Sequence, residues 1–296
     1  MSGRPRDVVN VTSAALRQWP LPKAGEDKES RGRVLVVGGN RQTPGAVLLA
    51  AEAALRSGAG KLQVATVESL APHLAVALPE ALVLGLPETP GGDISPAAGD
   101  AILELAEGCA AILLGPGLMD PETSVELMGS IVPRLRTTLV VDALAMAYLT
   151  EHRHGVRHLD GRAVLTPNGA ELAQTLGVEP DTVEGAYAEH TVRLATSTGV
   201  VVSSGAQVSW VAGPEEGLWK IETGGPGLGV SGSGDVHAGV VLGLCARGAE
   251  PAQAAAWAAY LHGRAGDRLA VEVGRLGFLA RELPAQIPRV LSELEV

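Results

Sequence analysis

The sequence predicts an α/β fold in which a mostly parallel sheet carries helices on both faces. Two observations lead there. Short β-branched runs alternate with helical patterns between Arg33 and Leu165, the arrangement expected of parallel strands joined by crossover helices. Glycine (38) and alanine are abundant while aromatic residues make up only 3% of the 296, which suits helices packed closely on a sheet and not a fibrous or disordered chain.

The elements follow in order. Residues 1–32 are charged and contain proline; they read as a leader that packs on the surface through a short helix at 12–19. Val34-Leu35-Val36-Val37 is a β-branched run closed by Gly38-Gly39-Asn40, so it predicts a strand and a turn, with helix formers following over 46–56 to a stop at Gly58. Further strands are expected at 62–67, 82–86, 111–114, 139–141 and 163–165. Several end in distinctive loops: Gly115-Pro116-Gly117, Asp142-Ala143 and Thr166-Pro167-Asn168. In open α/β sheets ligands bind outside the carboxyl ends of the strands, so these loops and Gly38-Gly39-Asn40 are expected to line one cleft. Beyond Gly199 the pattern turns β-rich, with antiparallel strands expected at 200–202, 207–211 and 218–221. From Asp235 the chain reads as a helix with Val236, Val240, Val241 and Leu244 on one face, Gly248 as its stop and Pro251 opening the next helix. No repeat, low-complexity tract or linker interrupts the chain, and residues 1–296 are expected to form a single domain.

Charge narrows the function classes. The formal net charge of -10 repels nucleic-acid backbones and anionic lipid over the surface as a whole. A nucleotide would have to be held locally, by backbone N–H groups, a helix N-terminus or a metal ion. Cys109 and Cys245 lie far apart in apolar segments and read as buried thiols. No apolar run approaches the roughly 18 residues that a membrane span needs, and a cytoplasmic location is expected.

The most informative segment is Gly224-Gly225-Pro226-Gly227-Leu228-Gly229-Val230-Ser231-Gly232-Ser233-Gly234-Asp235, a glycine-rich turn that feeds a helix. Backbone N–H groups of Gly232, Ser233 and Gly234 would face the helix start, where the macrodipole favours an anion such as phosphate. Asp235 has two readings. It could stabilise the helix as an N-terminal residue, worth about 0.5–2 kcal/mol as a cap. Alternatively it is a base: a carboxylate beside a phosphate repels it, a cost that makes sense if the group takes a proton from an attacking hydroxyl. Neither a Walker A loop nor a dinucleotide fingerprint is present, since Gly38 to Gly45 has the wrong spacing for both.

Other candidates read as structural. His152, His154 and His158 cluster around Gly155, which interrupts any helix, so a solvated loop is favoured over a metal site. His262 reads as a satisfied, partly buried histidine, and Trp257 and Tyr260 as core residues on one helix.

Taken in order, G-R-V-L-V-V-G-G-N, P-G-A-V, G-P-G-L, V-V-D-A, L-T-P-N, S-G-S-G-D-V-H-A-G and Y-L-H-G-R-A-G-D resemble the ADP-dependent NAD(P)H-hydrate dehydratases, a ribokinase-like, carbohydrate kinase-related family. The resemblance implies a three-layer α/β/α sandwich with a mostly parallel sheet. It implies nucleotide-dependent dehydration of the S-form of hydrated NADH or NADPH through phosphorylation of the ring hydroxyl, with ADP or ATP and Mg2+ as cofactors. It carries the catalytic aspartate onto Asp235, the glycine-rich anion hole onto Gly232, Ser233 and Gly234, and hydrated-cofactor contacts onto Ala46, Gly117 and Asn168. The family's nucleotide-binding Lys-Gly loop falls on Ser204-Gly205-Ala206-Gln207-Val208, so a lysine is replaced by Ser204. Asn168 stands where histidine is usual, Leu144 replaces the second acid of a D-A-D-A-L motif, and Ser231 replaces a glycine. Asp142 could position a metal or the substrate, with strand-end polarity as the other account; metal ligands are unassigned. A homo-oligomer, a tetramer, is implied. A small-alcohol or sugar kinase, or a nucleotide-binding regulatory protein without catalysis, are the alternatives.

Overall fold

The computed structural model describes residues 6–23 and 25–295. Its centre is a ten-stranded sheet of order β1-β10-β9-β8-β7-β6-β5-β2-β3-β4. The parallel part comprises β2 (Arg33–Val37), β3 (Lys61–Val67), β4 (Ala81–Leu86), β5 (Ala111–Leu114), β6 (Thr138–Val141), β7 (Ala163–Leu165) and β8 (Val201–Gly205). β9 (Ser209–Ala212) pairs antiparallel with β8 and with β10 (Leu218–Ile221). The expected strands are present to within a residue or two, except that β8 runs three residues further than expected, and it is not wholly antiparallel as expected: one edge pairs parallel with β7. Gln207 and Val208 fall in the turn before β9.

The leader does more than lie on the surface. β1 (Val8–Asn10) adds an edge strand parallel to β10, in register Val8↔Leu218 to Asn10↔Lys220. α1 (Ser13–Gln18) follows, started by Thr12, whose hydroxyl accepts from Ala15 N–H, and it buries Leu16. Leader residues 1–5 and 24 lie outside the described residues.

Helices cover both faces. α2 (Pro44–Arg56), α3 (Ala71–Ala77), α4 (Gly99–Ala106), α5 (Pro121–Ile131), α6 (Ala147–Glu151), α7 (Gly169–Leu176), α8 (Pro180–Glu184) and α9 (Tyr187–Thr198) connect the strands, and α10 (Ser233–Ala246), α11 (Pro251–Glu272) and α12 (Ile287–Leu294) complete the chain. Strand alternation sends side chains into two apolar layers. On β8, Val201 packs with α10 and α11, while Val202 packs with Leu172 of α7 and Leu194 of α9. Ser203 therefore faces α10, and Ser204 faces the α7/α9 layer.

α10 departs from the one-sided pattern expected of it. It begins at Ser233, two residues before Asp235, and is buried around nearly its whole circumference, including Ala238, Gly239, Leu242 and Gly243. Gly239 and Gly243 lie directly against the Ala50 and Ala54 carbonyls of α2. That contact leaves no room for a Cβ and fixes the depth of α10, so its first turn meets the carboxyl ends of the parallel strands.

Candidate active site

A cavity of about 470 Å³ opens where the ends of β7 and β8 meet the segment after β10, the first turn of α10 and the middle of α11. Asn168, Ser204, Gly205, Ala206, Gln207, Ser233 and Gly234 line it, so the structure brings together most of the residues expected to bind nucleotide. Val208 and Gly232 do not line it. The remaining expected residues, Ala46, Gly117, Asp142 and Asp235, are outside it. The four strand-end loops do not line a single cavity: only Thr166-Pro167-Asn168 reaches this one.

The turn into α10 requires Gly232, which sits at φ +90 with the Leu49 side chain where a Cβ would be. The anion hole differs in one respect from its expected form. Ser233 N–H turns back to the Val230 carbonyl at 3.1 Å, so it is committed. Gly234 and Asp235 are the second and third residues of the helix, whose N–H groups have no intrahelical acceptor, and they supply the donors. The helix cap is Gly232, without a side-chain cap bond. Asp235 is therefore not the cap.

Asp235 lies at the third helical position, half-buried. Burial first, and the negative charge of Glu171 second, raise its pKa from 3.8 to about 6. A carboxylate in a helix's first turn gains about 0.3–1 kcal/mol from the macrodipole. The rise corresponds to about 3 kcal/mol against the charged form at 1.36 kcal/mol per pH unit, so desolvation outweighs the dipole. Asp142, at the end of β6, is only 5% exposed and accepts the Thr166 hydroxyl at 2.7 Å. Its pKa is pushed well above the ordinary value by burial, then by Asp235 and Glu171. Burial likewise raises Glu171. Three carboxylates thus share one electrostatic environment, which favours a bound proton or cation among them. Among the described residues no three His, Cys, Asp or Glu side chains converge as a metal site. A divalent ion here would take most of its oxygens from phosphate and water, with one or two carboxylates, as Mg2+ commonly does.

Other placements refine the sequence reading. Asn168 is the N-cap of α7: its Oδ1 accepts from Glu171 N–H, and the Glu171 carboxylate accepts from Asn168 N–H. Its amide NH2 remains available to donate. The Ser204 hydroxyl is fully enclosed and without a partner, on the sheet face away from α10, so it does not project towards the anion hole as a phosphate-facing residue would. Gly117 packs beside Ala46, and its lack of a Cβ leaves no open space. With φ at +73, a Cβ there would meet the Thr43 carbonyl at 2.7 Å and Ala46 Cβ at 3.1 Å.

Sequence reasoning did not find Ser203, Thr223 or His237, which also line the cavity. His237 stands edge-on to His262, ring centroids 5.7 Å apart. Burial lowers the pKa of His237 to about 3 and that of His262 to about 4, so both are neutral at pH 7. His262 is satisfied as expected, 3.0 Å from the Ser233 hydroxyl. His152, His154 and His158 are exposed, Trp257 and Tyr260 are core, and burial pushes the Cys109 and Cys245 thiols up to about 11 and about 12.

Comparison with known proteins gives concordant results. The family model for NAD(P)H-hydrate dehydratase matches residues 34–289. The chain is 46% identical over 290 residues to an ADP-dependent (S)-NAD(P)H-hydrate dehydratase of Xanthomonas campestris pv. campestris, covering 97% of each. It is 36% identical to a bifunctional NAD(P)H-hydrate repair enzyme of Moorella thermoacetica, spanning 96% of this chain but 54% of that one. Among solved structures, the ADP/ATP-dependent NAD(P)H-hydrate dehydratase of Bacillus subtilis, co-crystallised with ATP and Mg2+, superposes with a TM-score of 0.80 at 27% identity, over 97% of this chain and 99% of that one.

Proposed function

The chain belongs to the NAD(P)H-hydrate dehydratase family, and we propose that it is a nucleotide-driven dehydratase of the S-form of hydrated NADH and NADPH in which Asp235 is the base. The observation that carries the role of Asp235 is its position: in the first turn of α10, directly after Ser233 and Gly234, which line the cavity, with a pKa raised to about 6. A base of that pKa is largely ionised at neutral pH yet still holds a proton well enough to draw one from a hydroxyl.

The nucleotide lies in the 470 Å³ cavity, its phosphates at the Gly234 and Asp235 N–H groups. Asp235 removes the proton of the ring hydroxyl as its oxygen forms a bond to the terminal phosphorus of ADP, releasing AMP. The carbon–oxygen bond then breaks, the oxygen leaves with inorganic phosphate, and the neighbouring ring carbon gives up a proton to restore the double bond. Mg2+ neutralises phosphate charge when bound; Asp142 and Glu171 are the side chains beside Asp235 able to hold it or to orient the substrate. Ala46, Gly117 and the Asn168 amide form the hydrated-cofactor side. Gly205, Ala206 and Gln207 border the nucleotide, with Gly232 and Val208 shaping the wall.

Residues 1–296 acting as one domain, a homo-oligomer, a tetramer in this reading, and a cytoplasmic location complete the proposal. Among the described residues no helix is long and apolar enough to cross a membrane. The kinase alternatives are not favoured by relatives such as those of Xanthomonas campestris and Bacillus subtilis, which are dehydratases. Incubating the protein with hydrated NADH, ADP and Mg2+, then separating cofactor and nucleotide by chromatography, tests the reading: NADH and AMP should appear together. Nucleotide binding without turnover would favour a regulatory protein.

A further inference from the structure

Asp93 lies outside every motif considered above, yet it joins three strand-end segments. It is 4% exposed, in the segment that follows β4. One carboxylate oxygen accepts from Asn40 Nδ2 at 2.8 Å, and the other from the backbone N–H groups of Met119 at 2.8 Å and Asp120 at 3.3 Å. Its donors therefore come from the loop after β2 and the loop after β5. Among the described residues no cation pairs with it in an ion pair.

The connection continues to the substrate side. Asn40 Oδ1 accepts from Gln42 N–H at 2.9 Å, which shapes the chain entering α2 at Thr43, Pro44 and Ala46. Thr43 in turn donates its hydroxyl to the Gly117 carbonyl at 2.7 Å. Gly117 and the chain that enters α2 just before Ala46 are thus tied into one closed circuit: Asp93 to Asn40, Asn40 to Thr43 through the Thr43 N–H and Asn40 carbonyl at 2.9 Å, Thr43 to Gly117, and along the chain to Met119 and back to Asp93. Hydrogen bonds to a buried carboxylate are stronger than neutral ones, and breaking one leaves a buried donor without a partner.

The geometry points to Asp93 as a positioning residue for hydrated-cofactor binding, setting the separation of Ala46 and Gly117 without touching the substrate. This rests on the functional reading above. The nucleotide cavity lies between other elements, so the circuit should act on one substrate and spare the other.

A reciprocal exchange tests it. In Asp93→Asn, the new amide NH2 faces the Asn40 amide NH2 if the bonds to Met119 and Asp120 are kept. In Asn40→Asp, two carboxylates face each other. The double variant Asn40→Asp/Asp93→Asn restores a donor–acceptor pair and keeps acceptors for Gln42, Met119 and Asp120. Steady-state kinetics with hydrated NADH and ADP, with a melting curve for each protein, should raise KM for hydrated NADH by about tenfold or more in each single variant. KM for ADP should stay within about twofold, and the double variant should recover most of the loss. An Asp93→Asn enzyme with unchanged KM for hydrated NADH overturns the inference. So does a parallel rise in both KM values with a lowered melting temperature that the double variant fails to correct, which marks a general stabilising role. A wild-type protein inactive on hydrated NADH refutes the functional reading first, and this inference with it.

Discussion

Replacing Asp235 by Asn separates its chemistry from its effect on the fold. Because no side chain caps α10 and Gly232 holds the cap position, the change does not remove a cap. What it removes is a carboxylate whose pKa rises from 3.8 to about 6 on folding. The sign follows from linkage: the folded state holds the proton more tightly than the unfolded chain, so the stability contributed by this group is fully present below about pH 4 and is lost as pH rises through about 6. At pH 7 the penalty is close to complete, about 3 kcal/mol at 1.36 kcal/mol per pH unit. Asn carries no such penalty and is nearly isosteric. The variant should therefore melt higher than wild type at pH 7, by on the order of 5 °C, with the difference vanishing near pH 4. An unchanged melting temperature, the expectation for interchangeable caps, does not follow from this structure. Turnover of hydrated NADH should fall roughly 100-fold or more, because the amide cannot accept the hydroxyl proton. Nucleotide binding should persist or tighten. Parallel melting curves at the two pH values and absorbance assays of dihydronicotinamide formation test both halves. Equal stability at pH 7 would refute the burial argument, and near-normal turnover would remove Asp235 from the chemistry.

Three further outcomes follow. The wild-type kcat/KM should rise with pH along an acid limb near 6, the pKa of Asp235; a rate flat from pH 5 to 8 contradicts a base of that pKa. Gly117→Val should lower stability by about 1–3 kcal/mol, since φ is +73 and the Thr43 carbonyl lies only 2.7 Å from where a Cβ would sit; a stable, ligand-blocked variant would show instead that the site is open there. Ser204→Ala should be neutral or stabilising by about 1 kcal/mol, because it deletes a buried hydroxyl without a partner, and calorimetry should find nucleotide affinity unchanged; a clear loss of affinity would place the hydroxyl at the nucleotide.

Legibility in the sequence tracked how local the cause was. β-branched runs such as Val34 to Val37, with glycine turns behind them, located the parallel strands because the strand and its stop are written in adjacent residues. Gly232 and Asp235 were visible for the same reason. The capping box is also local: Asn168 with Glu171 three residues later is the recognised signature. β1 was missed because Val8 to Asn10 is short and exposed, an edge strand defined by its partner β10 and not by its own pattern. The all-round burial of α10 comes from packing against α2 and α11 and onto β2, β5 and β6. Asp93, Ser203 and His237 had no local mark either. Their roles arise from neighbours such as Asn40 and His262, brought together only by the sheet order.

On the mechanism proposed above, the protein regenerates NADH by passing the ring oxygen to phosphate. Hydrated NADH carrying an oxygen-18 label in the ring hydroxyl, incubated with the protein, ADP and Mg2+, tests it directly. NADH and inorganic phosphate should appear in equal amounts, with the label in the phosphate. Unlabelled phosphate, or a phosphorylated product that persists while no NADH forms, would contradict it.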